Sequence, residues 1–129
     1  MNKIIVEVSI GELLDKISIL EIKQGKIKDP EKLKFINNEH SILKSQLENN
    51  VKSDEKLNNL YQSLKEINAK LWVIEDDKRQ CEKDKNFREK FIKLSRDVHF
   101  LNDDRAKIKL EINNHTGSVI KEIKEYTNY

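Results

Sequence analysis

Apolar residues recur at alternating spacings of three and four along two stretches in the second half of the chain. This spacing keeps side chains on one side of a helix and is typical of helices that pack along their length. The first stretch comprises Leu57, Leu60, Leu64, Ile67, Leu71, Ile74 and, after Lys78, Cys81. The second comprises Phe87, Phe91, Leu94, Val98, Leu101, Ile108 and Ile112, with Arg105 at one apolar step. A polar break at residues 83–85 separates them, which predicts a long antiparallel helical hairpin.

A first helix is predicted from Ser9 to about Gly25. Ser9 and Glu12 have the Ser-x-x-Glu spacing of a capping box, in which each side chain satisfies a free backbone amide at the helix start. The apolar residues of this helix surround it instead of forming one stripe; they are Leu13, Leu14, Ile17, Ile19, Leu20 and Ile22. A helix that is apolar on nearly all sides is enclosed by its own chain or by a partner. We therefore expect a homodimer whose interface uses this helix or the segment before it.

A second, shorter helix is predicted from Asp29-Pro30 to residues 49–50, because aspartate is a good cap and proline suits the first helical position. The residues at its three-and-four spacing are Leu33, Ile36, His40, Leu43 and Leu47. We interpret His40 as a hydrogen-bonded core residue. The first two helices are expected to pack together across the open groove of the hairpin.

The remaining boundaries follow from local signals. Residues 3–8 are rich in β-branched side chains and predict a short strand, paired with residues 119–126 or with the same strand of a second copy. Ser53 is predicted to cap the third helix, and Asn86 with Glu89 the fourth. Gly117 marks the end of the fourth helix. Residues 118–129 fit helix or strand equally well.

The chain is therefore predicted to be a single all-α domain over residues 1–129. Its architecture would be an elongated three- to four-helix bundle built on the hairpin, with a short N-terminal strand. Charged residues make up 37% of the chain and hydrophobic residues 36%, a composition typical of long helices. Enough apolar surface is present for a single core.

Charge and cysteine content exclude several classes of function. The net charge is only +2, and acidic and basic residues are interleaved, so no basic stripe for nucleic acid is present. No stretch is long and apolar enough to indicate a signal peptide or a membrane span. The single cysteine, Cys81, gives neither a disulfide nor zinc-ligand spacing and is expected to be a buried thiol. We expect a cytoplasmic protein.

Arg105 is the clearest candidate for a special role. A guanidinium at a core step must be paired, because an isolated buried charge is costly. If the turn is centred near residues 84–85, positions whose numbers sum to about 170 face each other, which brings Glu66 towards Arg105 and sets Asn68 opposite Asn102. A carboxylate of the first helix, Asp15 or Glu21, is a further possible partner. The pairing has two interpretations, a structural salt bridge that fixes the register or a recessed site for an anion.

An acidic run with a nearby arginine is the second candidate group. It consists of Glu75, Asp76 and Asp77, followed by Arg79. Paired carboxylates can serve acid–base chemistry or bind metal. Ordinary ion pairs explain them as well, either Glu75 with Arg79 four residues further along the helix or Glu75 with Arg96 across the hairpin. The Glu-x-x-His repeats of carboxylate metal bundles do not occur, and no metal or cofactor is predicted. Trp72 is expected in the core.

The histidines do not cluster, and only one contact between them and an acid is suggested. His99 and Asp103 are four residues apart and could share a hydrogen bond, and His115 is placed at a helix end, where a cation suits the dipole. No nucleophile with a supporting base is recognisable.

Several stretches resemble those of a known family. They are residues 6–23 (VEVSIGELLDKISILEIK), 71–76 (LWVIED), 102–106 (NDDRA), 112–113 (IN) and 116–118 (TGS). Together they resemble a domain-of-unknown-function family, family 6165, of small bacterial and phage helical proteins. The resemblance spans nearly the whole chain and implies a stand-alone helical domain without an established activity. It implies that the chain matches the family at polar positions of unassigned role, namely Lys16, Glu21, Glu75, Asp76, Arg96, Asn102, Asp103 and Arg105.

Two hypotheses for function follow from these patterns. The first is a non-enzymatic helical protein that acts through self-association, most simply as a homodimer, or through a protein partner. The second is a site within the bundle, formed by the eight polar residues above, that binds a small anionic metabolite with or without turning it over. The two hypotheses predict different arrangements of the charged side chains. Charges that neutralise one another in pairs favour the first, whereas unpaired cations in a concave pocket favour the second.

Overall fold

Four helices make up the regular structure of the described part of the chain. The computed structural model describes residues 2–129 and contains α1 (Ile10–Lys26), α2 (Pro30–Asn50), α3 (Glu55–Lys83) and α4 (Glu89–Thr116). No strand occurs within residues 2–129. The predicted all-α class is therefore confirmed, with four helices packed against one another.

The long hairpin of α3 and α4 is the frame of the fold. α3 has 29 residues and α4 has 28, so each is about 42–44 Å long. Residues 84–88 are not helical, and the turn places Lys85 at a positive φ of 54°. The amide of Asn86 closes the turn by donating to the Cys81 carbonyl at 2.8 Å. The predicted hairpin is confirmed.

α1 alone occupies the groove of the hairpin. It contacts α2, α3 and α4, whereas α2 packs on α1 and reaches the buried core cluster near its C-terminal end, through Leu47 and the cap residue Val51. The expectation that both short helices lie across the groove was therefore wrong. The physical reason is that α1 already fills it, so only the outer side of α1 remains for α2, which buries Ile36.

The core explains the unusual composition of α1. Leu14 of α1 joins Leu57, Leu64 and Ile112 of the hairpin in one buried cluster. The other apolar sides of α1 are covered as well, since Ile17, Leu20 and Ile22 are buried within the same chain. The chain itself therefore covers Leu14 and Ile22, because α2 on one side and the hairpin on the other enclose the helix, whereas Ile19 stays half-exposed. The expected homodimer stays a prediction.

The helix ends differ from the predictions in detail. Asp54, not Ser53, caps α3, accepting a hydrogen bond from the Leu57 amide at 2.7 Å. Ser53 instead donates to the side chain of Asn58. Asn86 does not cap α4, which starts at Glu89 without a side-chain cap. Gly117 ends α4 as predicted, in the left-handed conformation at φ 67°.

The two chain ends contain no regular structure. Residues 2–8 are exposed and form no strand, so that prediction was wrong. Alternating β-branched residues are not sufficient, because no neighbouring segment supplies ladder hydrogen bonds and residues 119–126 are not a strand either. The tail instead lies along α4, where Glu122 is 3.4 Å from Lys109. No helix of the described residues is long and apolar enough to cross a membrane.

The start of α1 is fastened to the end of α4. The amide of Gly11 donates to Oδ1 of Asn113 at 2.7 Å, and the amide of Ile10 donates to the hydroxyl of Ser118 at 3.1 Å. A Cβ atom on Gly11 would lie 2.7 Å from the carbonyl oxygen of Lys109. Ser9 accepts from the Glu12 amide as the capping box predicts, but the Glu12 carboxylate pairs with Lys109 at 2.7 Å. These contacts fix the position of α1 along the hairpin.

Candidate functional site

A buried ion pair between α1 and α4 lies at the centre of the fold. Asp15 is only 2% exposed, and Arg105 donates to both of its oxygens, from Nε to Oδ1 at 3.0 Å and from Nη2 to Oδ2. Asn68 of α3 donates to Oδ1 of Asp15 and to the Ser18 hydroxyl, each at 2.8 Å. Three helices therefore converge on one carboxylate.

This arrangement confirms that Arg105 has a carboxylate partner on the first helix. The predicted approach of Glu66 to Arg105 was wrong, since Glu66 is exposed and Arg105 is bonded to Asp15. Glu66 is only two residues from Asn68, so its side chain starts about 200° around α3 from the side that faces α1. The rule that facing positions sum to about 170 concerns the position along the hairpin, and it does not say which side of its helix a residue occupies.

The electrostatics of Asp15 depend on this pairing. Burial pushes the pKa of the carboxyl up, but hydrogen bonds from Arg105 and Asn68 and the charges of Arg105 and Lys109 outweigh it, so the pKa lies below its usual value. The pKa of Arg105 is raised, chiefly by its hydrogen bonds to Asp15. Both groups are therefore charged at neutral pH.

We expect Asp15 to make the chain lose stability on acidification. Its pKa is lower in the folded chain, so its contribution is complete above the unfolded-state pKa of about 3.9 and is lost as the pH falls through the folded-state value. Urea unfolding of the wild type and of Asp15→Asn, each near pH 6 and near pH 3, measures this. The wild type should lose more stability than the variant over that interval; equal losses would contradict the assignment.

A cleft of about 530 Å³ lies beside this ion pair, between α1, α3 and α4. Its lining residues are Ile19, Asn68, Leu71, Trp72, Glu75, Asp76, Arg79, Asn102 and Arg105. Four of the predicted site residues, Glu75, Asp76, Asn102 and Arg105, therefore meet in one place. Trp72, expected in the core, is half-buried and forms part of the wall.

The charges at one end of the cleft are free. Among the described residues, Glu75, Asp76 and Arg79 form no ion pair within 4.0 Å. The predicted pair of Glu75 with Arg96 is therefore absent. Arg96 is exposed, and its guanidinium lies 5.9 Å from the centre of the Phe100 ring.

Glu21, another predicted site residue, belongs to a separate cluster that ties α1 to α2 and α3. It lies 3.0 Å from Nε2 of His40 and 3.3 Å from Nζ of Lys65, and it accepts a hydrogen bond from the Tyr61 hydroxyl. Burial and this bond raise the pKa of Tyr61. The prediction of a hydrogen-bonded His40 is confirmed, and the cluster is structural in position.

The last two predicted site residues lie outside the cleft. Lys16 is exposed on α1 and forms no ion pair with any described residue. Asp103 accepts a hydrogen bond from the Tyr129 hydroxyl, while the ring of His99 stacks edge-on against Tyr129 at 5.3 Å. The bond suggested between His99 and Asp103 is replaced by these contacts with the tail.

Two further observations bear on chemistry. Within residues 2–129, no group of three or more histidine, cysteine or acidic side chains is arranged to hold a metal ion. Cys81 is buried in the core as a free thiol. Asn68 and Ser18, which bond within the Asp15 cluster, were not among the predicted site residues. Their signals in the sequence were the position of Asn68 opposite Asn102 in the hairpin and of Ser18 three residues after Asp15 in the first helix.

The comparisons with known proteins extend this description by one finding. The sequence model of a family of unknown function, DUF6165, matches residues 4–129. The chain belongs to this family. No curated protein and no solved structure matches it significantly. Membership of DUF6165 agrees with the resemblance seen in the sequence and assigns no activity to the chain.

Proposed function

We propose that this DUF6165 protein is a non-enzymatic helical protein that acts through self-association, as a homodimer. The observation that supports it most directly is the size of its surface. The accessible area is 9709 Å², roughly a third more than the ~7,100 Å² of a compact monomer of 15.3 kDa. A stable dimer needs to bury about 800 Å² per partner, well within this surplus.

The surface proposed for the contact is the side of the hairpin turned away from α1, which we call the outer face. It is a shallow groove of about 640 Å³ lined by Ala69, Lys70, Val73, Ile74, Asp97, Phe100 and Leu101. Val73 is 48% exposed and Phe100 39%. Apolar side chains of this size at a helix pair's seam are typical of interfaces.

A second copy of the same chain fits the outer face better than an unrelated partner of strong charge. A two-fold contact brings the same surface of both copies together, so that surface must be complementary to itself. The groove has one positive and one negative residue, Lys70 and Asp97, and therefore no net charge. Two outer faces can meet without repulsion and cover each other's Val73 and Phe100.

Val73→Glu should break the dimer while leaving the monomer folded. Val73 is half-exposed, so the substitution costs the monomer little, but a two-fold contact would bury one new carboxylate from each copy. The expected result in sedimentation velocity is at least a tenfold weaker dimer with an unchanged circular dichroism spectrum.

Ile42→Glu is the matched control for Val73→Glu, because Ile42 is similarly exposed but lies on α2, away from the outer face. It should leave the dimer intact. A Val73→Glu variant that dimerises as strongly as Ile42→Glu would exclude the outer face as the interface.

A small anionic ligand, the alternative from the sequence, receives less support. The half-buried cation Arg105 is neutralised by Asp15, and Lys109 by Glu12 and Glu122. The free charges that remain in the cleft are two carboxylates and one guanidinium, which sum to −1. The cleft therefore has no excess positive charge to attract a ligand that carries only negative charge.

A further inference from the structure

The same cleft has a charge pattern that selects a different kind of ligand. At one end Glu75 and Asp76 have no ion-pair partner among the described residues, and Arg79, one turn further along α3, offsets only one of their two charges. Unpaired carboxylates beside an indole, that of Trp72, are a favourable environment for an ammonium group.

The opposite end of the cleft offers hydrogen-bond donors. Arg105 uses Nε and Nη2 for Asp15, and its Nη1 makes only a long contact of 3.4 Å with Oδ1 of Asn102. Its side chain remains 29% exposed. The amide nitrogen of Asn102 donates to no described residue. This end can therefore donate to an acceptor group without further rearrangement.

The middle of the cleft is apolar and sets the spacing of the two ends. Ile19 of α1 and Leu71 and Trp72 of α3 form its walls. Asn68, at the donor end, and Glu75 are seven residues apart on α3, which corresponds to about 10 Å along the helix. A volume of about 530 Å³ is within the range of small-molecule sites, roughly 300–1,000 Å³.

A neighbouring cavity on the other side of Arg105 serves as a comparison. It is lined by Glu12, Lys109, Glu122 and Lys124 among others, but these charges are already paired with one another. Of these two cavities, the first alone combines an apolar wall with charges and donors that have no partner among the described residues.

We propose that this cleft binds a small ligand with a primary ammonium at one end, a short apolar stem, and a carboxylate or other acceptor at the other. The ammonium lies between Glu75 and Asp76 against Trp72, the stem contacts Ile19 and Leu71, and the acceptor receives hydrogen bonds from Arg105 and Asn102. The site is distinct from the outer face, so it does not depend on dimerisation.

Three six-carbon probes that differ only in their end groups test the proposal by isothermal titration calorimetry on the full chain. They are ε-aminocaproate, hexamethylenediamine and adipate. We expect ε-aminocaproate to bind tightest, the diamine about tenfold weaker, and adipate not at all, because one of its two carboxylates would face Glu75 and Asp76. Adipate binding tightest, or no binding by any probe, would overturn the proposal. A diamine that binds as tightly as ε-aminocaproate would refute the acceptor end.

Variants of two exposed residues, Glu75 and Glu82, and of the half-buried Asn102 locate the site. Glu75→Gln should weaken ε-aminocaproate binding about tenfold or more, the effect of losing a charged hydrogen-bond acceptor. Glu82→Gln, an exposed glutamate on the same helix outside the cleft, should leave binding unchanged. Asn102→Ala should weaken ε-aminocaproate but not the diamine. Equal effects of Glu75→Gln and Glu82→Gln would place any binding elsewhere and overturn the assignment.

Discussion

Arg105→Ala is expected to lower the free energy of unfolding by about 3–5 kcal/mol, the range for breaking a buried ion pair by removing one partner. The variant leaves Asp15, which is 2% exposed, without its two guanidinium hydrogen bonds. An Arg105→Met change is expected to be similarly costly, because the carboxylate stays buried. Urea unfolding followed by circular dichroism measures the loss.

Two further variants distinguish the effect of breaking the ion pair from the effect of removing any arginine. Arg79→Ala removes a guanidinium that has no ion pair and should change stability by no more than about 0.5 kcal/mol. The double variant Asp15→Leu with Arg105→Met removes both charges and should recover much of the stability lost in Arg105→Met alone. If Arg105→Ala is no less stable than Arg79→Ala, the pair does not fix α1 to the hairpin.

Gly11→Ala is expected to destabilise the chain by about 1–3 kcal/mol, the range for an overpacked site. The added Cβ would lie 2.7 Å from the Lys109 carbonyl oxygen and 3.0 Å from Oδ1 of Asn113. A helix backbone cannot yield as a flexible side chain can, so α1 must move and weaken the bond from the Gly11 amide to Asn113. Asn113 is 1% exposed, so its Oδ1 would lose this bond in a place that water does not reach. Its amide nitrogen already has no hydrogen-bond partner among the described residues.

Gly25→Ala, in the same helix, provides the matched control. A Cβ at Gly25 would meet nothing within 4 Å, so alanine's greater helix propensity should stabilise the chain by up to about 1 kcal/mol. The two glycines should thus respond with opposite signs in thermal unfolding. Stabilisation by both substitutions would mean that α1 is not held against α4 at Gly11.

The hairpin could be predicted from the sequence because its signal is local and repeated. The spacing from Leu57 to Ile112 records which side of each helix is covered, whichever partner covers it. The same reasoning identified Arg105, since a cation at an apolar step requires a carboxylate. The other predicted residues of the cleft had different sources: Glu75 and Asp76 stood out as an acidic run, and Asn102 was implied by the family resemblance.

The features that could not be predicted from the sequence depend on how the helices pack against one another. α1 is apolar on nearly all sides, and the sequence does not distinguish cover by α2 from cover by a second copy. The sequence offered Asp15 and Glu21 alike as partners on the first helix, and only the placement of α1 in the groove brings Asp15 to Arg105. The segment of residues 3–8 has the composition of a strand, but a strand also needs a neighbour, which composition does not reveal.

The molar mass of the unmodified chain in solution tests the proposed self-association most directly. Light scattering coupled to size-exclusion chromatography, over a dilution series through the micromolar range, gives this mass without a label or a substitution. The expected result is twice the monomer mass of 15.3 kDa at the higher concentrations, with dissociation on dilution. A mass of 15.3 kDa at every concentration would contradict the account.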